Sequence, residues 1–175
     1  MNTLTIILIV IGSIIALPLI LALFTRKNYF IERTITLNAP NEKVFGYLKL
    51  QKNQEKFNKW VMVDPEMKRD FKGTDGTVGF TFAWNGNKQA GEGELEIKKM
   101  IEGKYFETEV RFVRPMPGIA QVKWTTEPMG SQTKVSWSNA SKLKYPVNLM
   151  IPMVEKLMGR DMDTSLQNLK NILEE

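Results

Sequence analysis

Three patterns of hydrophobic and polar positions follow one another along the chain. Residues 4–24 form an unbroken apolar run without a charged side chain. Through the middle of the chain, apolar and polar residues alternate with a period of two, which predicts strands with one buried face. From about residue 146 onward, apolar residues recur at helical spacing. The sequence therefore predicts an apolar helix, then a sheet, then an amphipathic helix.

The apolar run from Leu4 to Phe24 has the length and composition of a membrane-spanning helix. Its 21 residues would extend about 31 Å, close to the hydrocarbon thickness of a bilayer. The basic pair Arg26 and Lys27 follows it directly. A cleaved secretory signal is the alternative, but it would need a positive side chain before the run and a small-residue cleavage site after it. We interpret the run as a retained membrane anchor.

The distribution of charge predicts the side of the membrane on which the rest of the chain lies. Positive residues stay on the cytoplasmic side of a span, and Arg26, Lys27 and Arg33 all follow the run. We therefore expect a single-pass protein of the cell (inner) membrane with a cytoplasmic soluble part. The net charge of +5 lies entirely in the first 60 residues, and the rest is balanced. Because a basic stripe is missing from the balanced part, nucleic acid is not an expected partner.

Turn residues divide the alternating region into seven strands. Residues 29–38 predict the first strand, after which Pro40 opens a helix. A second short helix is expected over residues 51–60. The lysines at 49, 52, 56 and 59 either form a solvated helix face or contact an anionic leaflet. Short connections such as Asn85-Gly86 predict antiparallel neighbours. The later strands span about residues 67–72, 78–84, 91–101, 105–113, 119–127 and 133–140.

The last thirty residues predict a long amphipathic helix. Pro152 is compatible with the first turn of a helix and incompatible with its interior, so we expect the helix to begin near Ile151 and to bend at Gly159. Its apolar positions are 150, 153, 154, 157, 158, 162, 166, 169, 172 and 173.

Several phrases of the sequence resemble the SRPBCC superfamily, also called START or Bet v 1-like, and in particular its bacterial polyketide cyclase/dehydrase-like members. The phrases are Leu37-Asn38-Ala39-Pro40 with Val44-Phe45, the segment 71–79, the segment 82–87 running into 91–94, and the closing segments 159–162 and 166–170. The resemblance covers about residues 29–175. It does not extend to the apolar run, which is interpreted from the sequence alone.

The resemblance implies an α+β helix-grip fold. In this fold a curved antiparallel sheet of about seven strands surrounds a long C-terminal helix, here preceded by one transmembrane helix. We therefore predict two regions, a membrane anchor with a basic juxtamembrane linker over residues 1–28 and a START-like domain over residues 29–175. The superfamily includes lipid carriers, cyclases, hormone receptors and chaperone cofactors, so the resemblance specifies the fold more closely than the function.

The period-two alternation also predicts which side chains face the C-terminal helix. These residues either form a solid core or line an apolar pocket, and the resemblance, which implies a cavity between sheet and helix, favours the pocket. Methionines on the helix would suit an adaptable pocket because they fill irregular space with little strain. The candidate ligand-binding residues are Phe80, Phe82, Trp84, Leu95, Val110, Phe112, Trp124 and Trp137 from the strands, and Met153, Leu157 and Met162 from the helix.

Arg69 is a further candidate because its spacing from Met67 and Phe71 directs a cation toward the apolar side. Such a cation must be paired, must extend to solvent at the strand end, or must bind an acidic head group. Pairing or extension makes Arg69 structural. Binding a phosphate or carboxylate makes it functional.

The chain contains neither histidine nor cysteine, which excludes an imidazole base, a thiolate nucleophile and the usual zinc ligands. Segment 91–96 places three carboxylates on the outer face, where we expect them to be solvated, and Gly91 and Gly93 on the inner face, where they widen a cavity or mark a bulge. We predict no catalytic residue, no cofactor and no metal site.

These observations lead to one leading hypothesis and two alternatives. The leading hypothesis is a membrane-tethered binding domain for a hydrophobic small molecule such as a lipid, an isoprenoid quinone or a fatty-acid-like compound. The first alternative is a cyclase- or hydrolase-type enzyme, which would have to use Asp, Glu, Lys, Tyr or Arg as its acid or base. The second alternative is an accessory subunit that docks on a membrane protein complex.

Overall fold

A computed structural model describes residues 2–175. Helix α1 (Thr3–Phe24) is followed by strand β1 (Asn28–Leu37) and by helices α2 (Asn41–Lys49), α3 (Gln54–Phe57) and α4 (Lys59–Met62), with a 3-10 turn at Gln51–Asn53. The remaining strands are β2 (Lys68–Lys72), β3 (Thr81–Asn85), β4 (Glu92–Ile101), β5 (Tyr105–Arg114), β6 (Gly118–Met129) and β7 (Gln132–Lys142). A 3-10 turn at Val147–Met150 leads into the last helix, α5 (Ile151–Glu174).

The seven strands form one sheet in the order β1-β7-β6-β5-β4-β3-β2. Every neighbouring pair is antiparallel, because short connections join consecutive strands from β2 onward. This arrangement confirms the predicted α+β helix-grip fold, with one strand before the short helices, six after them and a long closing helix.

Helix α5 crosses the sheet beside β1 and runs in the same direction. Arg33 Nε on β1 donates to Asp163 Oδ2 at 3.2 Å, and the Asn38 backbone N–H donates to Glu174 Oε1 at 2.6 Å. We call the face of the sheet that α5 covers the inner face. We call the end of the sheet where β1 begins, directly after α1, the proximal end, and the opposite end the distal end.

The end of α1 is attached to the turn that precedes α5. Asn148 is fully buried, and its Nδ2 donates to the carbonyl oxygens of Ala22 at 2.8 Å and Thr25 at 3.0 Å. Because the last carbonyls of a helix have no partner within it, this side chain satisfies groups that would otherwise be exposed at the helix end. Among residues 2–175, only α1 is long and apolar enough to cross a membrane by length and composition.

The structure refines three local predictions. The single helix expected over residues 51–60 is divided into short pieces, and Asn58 ends one piece and caps the next by accepting from Trp60 N–H at 3.0 Å. Strand β3 begins at Thr81 rather than at residue 78, because the chain turns through Gly79 at a φ of +87°. Helix α5 begins at Ile151, as Pro152 predicts.

Gly159, where we expected a bend, allows a close approach of α5 to β1. The guanidinium of Arg33 passes beneath α5 at this position on its way to Asp163. A Cβ at residue 159 would collide with that guanidinium. The absence of a side chain at residue 159 therefore leaves room for this guanidinium.

Candidate functional site

The inner face of the sheet presents rows of side chains that cross neighbouring strands. One row in the distal half contains Phe106, Trp124 and Trp137. The next row toward the proximal end contains Thr108, Val122 and Asn139, and the one after that contains Val110 and Ala120. Phe112 lies at the proximal end, opposite Gly118.

The distal half of the inner face is packed with aromatic rings. Trp124 and Trp137 stack with ring centroids 4.4 Å apart, and Trp60 meets Trp137 edge-on at 5.4 Å. Phe57 meets Trp124 edge-on at 6.0 Å, and Phe106 lies against Trp124 at 6.3 Å. The distal part of the grip is therefore a solid core, as the core interpretation of the alternation predicted.

Phe57 and Trp60 reach this core because α3 and α4 lie across one side of α5. The Trp60 Nε1–H donates to Asp161 Oδ2 at 3.1 Å, the Lys59 backbone N–H donates to Ser165 Oγ at 3.0 Å, and Asn168 Nδ2 donates to the Phe57 carbonyl at 3.2 Å. Positions 161, 165 and 168 share one stripe of α5 at spacings of four and three residues.

The same stripe continues toward the proximal end through Leu157 and Met153, but there α3 and α4 no longer cover it. Leu157 is 49% exposed and Met153 is 48% exposed. Across the gap, Phe112 on β5 is 38% exposed. The proximal half of the grip therefore opens to the outside between α5 and the sheet, and apolar side chains line the opening.

Inner-face residues next to this opening retain a small exposure. Leu95, Val110 and Val122 are 7–8% exposed, whereas Phe106 and Ile97 are fully buried. We call this narrow, apolar-lined opening the proximal crevice. It lies at the end of the domain from which α1 emerges.

The twelve predicted ligand-binding residues thus fall into two groups and one exception. Trp84, Leu95, Val110, Phe112, Met153 and Leu157 lie along the proximal crevice or at its mouth. The fully buried group consists of Phe80, Phe82, Trp124, Trp137 and Met162. The exception is Arg69.

The guanidinium of Arg69 is engaged by its own domain. Its Nε lies 3.0 Å from Glu55 Oε1, and its Nη1 donates to the carbonyl oxygens of Met67 at 2.9 Å and Pro65 at 3.1 Å. These contacts join β2 to the short helix α3 and to the loop after α4. The geometry favours the structural alternative for this residue.

The two glycines of the segment 91–96 mark a β-bulge and do not widen a cavity on the inner face. The register of β4 against β5 shifts between Glu92 and Gly93, and Gly91 adopts a φ of +69°. A Cβ on Gly93 would lie 2.7 Å from the ring of Trp84. The tryptophan ring therefore occupies the room that the missing side chain leaves.

The interior of the domain, as described over residues 2–175, contains no buried charge. Every buried polar side chain in that range is an amide or a hydroxyl, and the set consists of Gln51, Gln54, Asn58, Thr108, Thr126, Thr133, Asn139, Asn148 and Ser165. Tyr29, at the proximal start of β1, is the one buried titratable side chain in the described chain, and burial raises its pKa, while a hydrogen bond with Ser141 partly offsets this effect.

The outer face carries the charged residues of β4 and β5. Arg111 pairs with Glu94, with Glu109 at 2.7 Å and with Glu96 at 3.0 Å. Hydrogen bonds from these carboxylates, first Glu94 and then Glu109 and Glu96, raise the pKa of Arg111. An open depression of about 530 Å³ lies on this face beside Lys68. Within residues 2–175 no group of three acidic side chains is placed to hold a metal ion.

Residues 31–174 match the model of a protein family described as polyketide cyclase / dehydrase and lipid transport. The chain belongs to this family. The match spans the whole sheet except the first three residues of β1, together with α5, and therefore includes the proximal crevice. Membership confirms the predicted SRPBCC resemblance and places the chain among domains that bind a hydrophobic ligand or act as cyclases.

Solved structures share the fold of this family domain at low sequence identity. Truncated norcoclaurine synthase from Thalictrum flavum is 13% identical with a TM-score of 0.64, and the match covers 85% of this chain and 95% of that one. Protein CV1439 from Chromobacterium violaceum is 15% identical with a TM-score of 0.61, covering 83% and 97%. The Aha1 protein from Colwellia psychrerythraea is 20% identical with a TM-score of 0.56, covering 83% and 96%. No curated protein matches the chain significantly.

Two residues that shape the site were missed from the sequence. Phe57 is 1% exposed and Trp60 is half-buried, and together they close the distal half of the grip. The signal available was their spacing of three residues, which places both on one side of a helical segment. That spacing does not show that the segment lies against the inner face.

Proposed function

We propose that the protein is a membrane-tethered binding domain for a hydrophobic small molecule, which occupies the proximal crevice. The observation that carries this proposal is the uncovered apolar stretch formed by Met153 and Leu157 on α5 and by Phe112 on β5. These three side chains are 38–49% exposed although both elements belong to the grip. Exposed apolar surface of this kind is favourable only when another apolar group covers it.

The position of the crevice relative to α1 supports a ligand that comes from the bilayer. Asn148 ties the end of α1 to the turn before α5, and Met153 lies in the first turn of α5. With α1 as the membrane anchor and the domain on the cytoplasmic side, the mouth of the crevice is next to the lipid surface. A tether of this kind raises the effective concentration of the domain at the membrane.

The surface around the proximal end also suits a membrane-facing orientation. Apolar side chains at this end are exposed on several elements, namely Phe24, Phe30, Val113, Met116, Ile119, Tyr145 and Met150. Lysine side chains lie among them at 27, 142 and 144, and basic groups near an anionic leaflet gain about 1 kcal/mol each.

The lysines of the short helices are placed differently. Lys49 pairs at 2.7 Å with Glu102 in the β4–β5 turn at the distal end, and Lys59 pairs with Asp161 at 2.5 Å. Those contacts favour the solvated interpretation of that helical face.

Because the crevice is narrow, we expect the side chains at its mouth to move when a ligand enters. Methionine and leucine on an exposed helical face change rotamer at little cost, and methionine adapts well to different ligand shapes. The proposal assigns no catalytic residue, since the buried polar side chains are neutral amides and hydroxyls.

Native mass spectrometry of the full chain, after gentle detergent extraction, tests the proposal. The wild-type protein should carry a defined apolar molecule that is identified by lipid analysis. Leu157→Arg places a charge at the mouth and should abolish that molecule, whereas Gln167→Arg, on the exposed distal part of α5, should retain it. Absence of any bound molecule, combined with a stoichiometric protein partner, would favour the accessory-subunit alternative instead.

A further inference from the structure

In the described chain, the inner face contains three buried side chains with a hydrogen-bonding atom that the chain itself does not satisfy, and two of them share one row, while the third, Trp137, lies in the packed distal row. Thr108 on β5 is 1% exposed and Asn139 on β7 is 4% exposed. Within residues 2–175, neither Thr108 Oγ1 nor Asn139 Oδ1 has a hydrogen-bond partner. A buried polar atom without a partner costs free energy, and most such atoms in folded proteins are satisfied. These two atoms therefore indicate a partner outside the polypeptide.

Thr108 and Asn139 lie in the same row of the inner face. Each is paired with Val122, on the strand between them. Neighbouring strands are about 4.8 Å apart, so the two backbones are about 10 Å apart. Because both side chains extend from the sheet, one hydroxyl group above Val122 could bridge them, donating to Asn139 Oδ1 and accepting from the Thr108 hydroxyl, with hydrogen bonds of about 2.8 Å.

This row forms the inner end of the proximal crevice. Val122 between the two polar residues is 7% exposed, whereas Phe106 in the next distal row is fully buried. In the proximal direction the crevice passes Leu95 and Val110 and reaches Phe112. Thr108 and Phe112 lie four residues apart on β5, which is about 13 Å along the strand.

The polar groups at this inner end are neutral. The buried polar side chains of the described chain contain no carboxylate, ammonium or guanidinium group. The Arg33 guanidinium, from the next distal row of the inner face, is already paired with Asp163. A carboxylate or phosphate transferred to this depth would therefore lose its hydration without gaining an unpaired opposite charge, which is strongly unfavourable. A hydroxyl group carries no such penalty.

We infer that the crevice selects an amphipathic molecule with a neutral hydroxyl head group, such as an isoprenoid alcohol, over a fatty acid. The head group is bound between Thr108 and Asn139. The apolar chain passes Val110 and leaves between Phe112 and Leu157 toward the bilayer. This inference rests on the proposed function and specifies the class of ligand for the same site.

Three probes with the same chain and different head groups test the inference. Farnesol, farnesene and farnesoic acid provide an alcohol, a hydrocarbon and a carboxylic acid, and each is titrated at pH 7 into the full chain in lipid nanodiscs. Wild-type protein should bind the alcohol about tenfold more tightly than the hydrocarbon, as two net hydrogen bonds allow, and should bind the acid most weakly.

Variants of Thr108 and Asn139 then test whether these two residues cause the preference for the alcohol over the hydrocarbon. Thr108→Val retains the shape of the side chain and should reduce the preference for the alcohol about threefold. The double variant Thr108→Val with Asn139→Leu should remove this preference without lowering the affinity for the hydrocarbon. Ser138→Ala, which changes the outward-facing neighbour on β7, is the matched control and should leave the preference unchanged.

The outcomes distinguish the inference about the ligand class from the proposed function. Equal affinity of wild-type protein for the alcohol and the hydrocarbon, or tighter binding of the acid, would overturn the inference and leave the proposed function intact. Failure of all three probes to bind would contradict the proposed function itself.

Discussion

The distal and proximal halves of the inner face are built from the same strands and the same helix, yet the short helices cover only the distal half. In the distal half, Phe57 and Trp60 from the short helices fill the space above Trp124 and Trp137. In the proximal half, Met153, Leu157 and Phe112 have no such cover. The apolar character of an inner-face residue is therefore not enough to predict ligand contact. Whether an inner-face residue is covered depends on where α3 and α4 end.

The comparison also explains how one fold can combine stability with binding. Rings packed at centroid distances of 4.4–6.3 Å give the distal half the dense contacts that stabilise a core. The proximal half contributes fewer contacts, and its side chains can rearrange. A core of this kind tolerates an open crevice because the two regions occupy opposite ends of the strands.

Truncation of one aromatic ring in each half gives the largest expected contrast. Trp124→Ala removes a fully packed ring and should lower the free energy of unfolding by about 3–5 kcal/mol. Phe112→Ala removes a side chain that is 38% exposed and should cost about 1 kcal/mol or less. Urea denaturation of the full chain in mild detergent, followed by circular dichroism, measures both. Equal losses would show that the two halves are not packed differently.

A methyl group at Gly159 tests the closeness of α5 to the sheet at the boundary between the halves. Gly159→Ala should displace the Arg33 guanidinium, but alanine gains about 1 kcal/mol over glycine in a helix interior, so the net loss in the free energy of unfolding should be about 1 kcal/mol. In an Arg33→Ala background the same substitution should instead raise the free energy of unfolding by up to about 1 kcal/mol, because the colliding group is absent. The same denaturation assay applies. A similar loss in both backgrounds would mean that helix geometry, rather than contact with Arg33, requires the glycine.

Substitution of Arg69 gives a small expected change in the free energy of unfolding, and it distinguishes a structural role from a ligand-binding role. Arg69→Met removes the pairing with Glu55 and the hydrogen bonds to the loop before β2, and should lower the free energy of unfolding by about 1 kcal/mol. We expect ligand affinity, measured by titration in nanodiscs, to stay unchanged. A clear loss of affinity at wild-type stability would instead support the head-group role.

Much of the architecture follows from the sequence because its signals are local. Pro152 marks the start of α5 at Ile151, and the alternation between turns marks the inner-face positions of the strands correctly. These features depend on backbone sterics and on side-chain periodicity, which neighbouring residues determine.

The cover of the site could not be predicted in the same way. The spacing of Phe57 and Trp60 indicates one side of a short helix but does not show which surface that helix meets. Met153 and Met162 lie nine residues apart, so helical spacing places them on opposite sides of α5, and Met162 belongs to the buried core. That Met153 stays 48% exposed on the stripe it shares with Asp161 depends on where α4 ends, which is a tertiary property. The pairing of Arg69 with Glu55 depends on the same placement.

Methionine NMR of the full chain tests the central claim most directly. With ¹³C-methyl methionine labelling in nanodiscs, Met153 reports on the mouth of the proximal crevice and Met162 reports on the distal core, each assigned by a Met→Leu variant. On titration with farnesol, the Met153 signal should shift in a saturable manner while the Met162 signal stays in place. A saturable shift of Met162 without one of Met153, or no shift of either, would contradict binding in the proximal crevice.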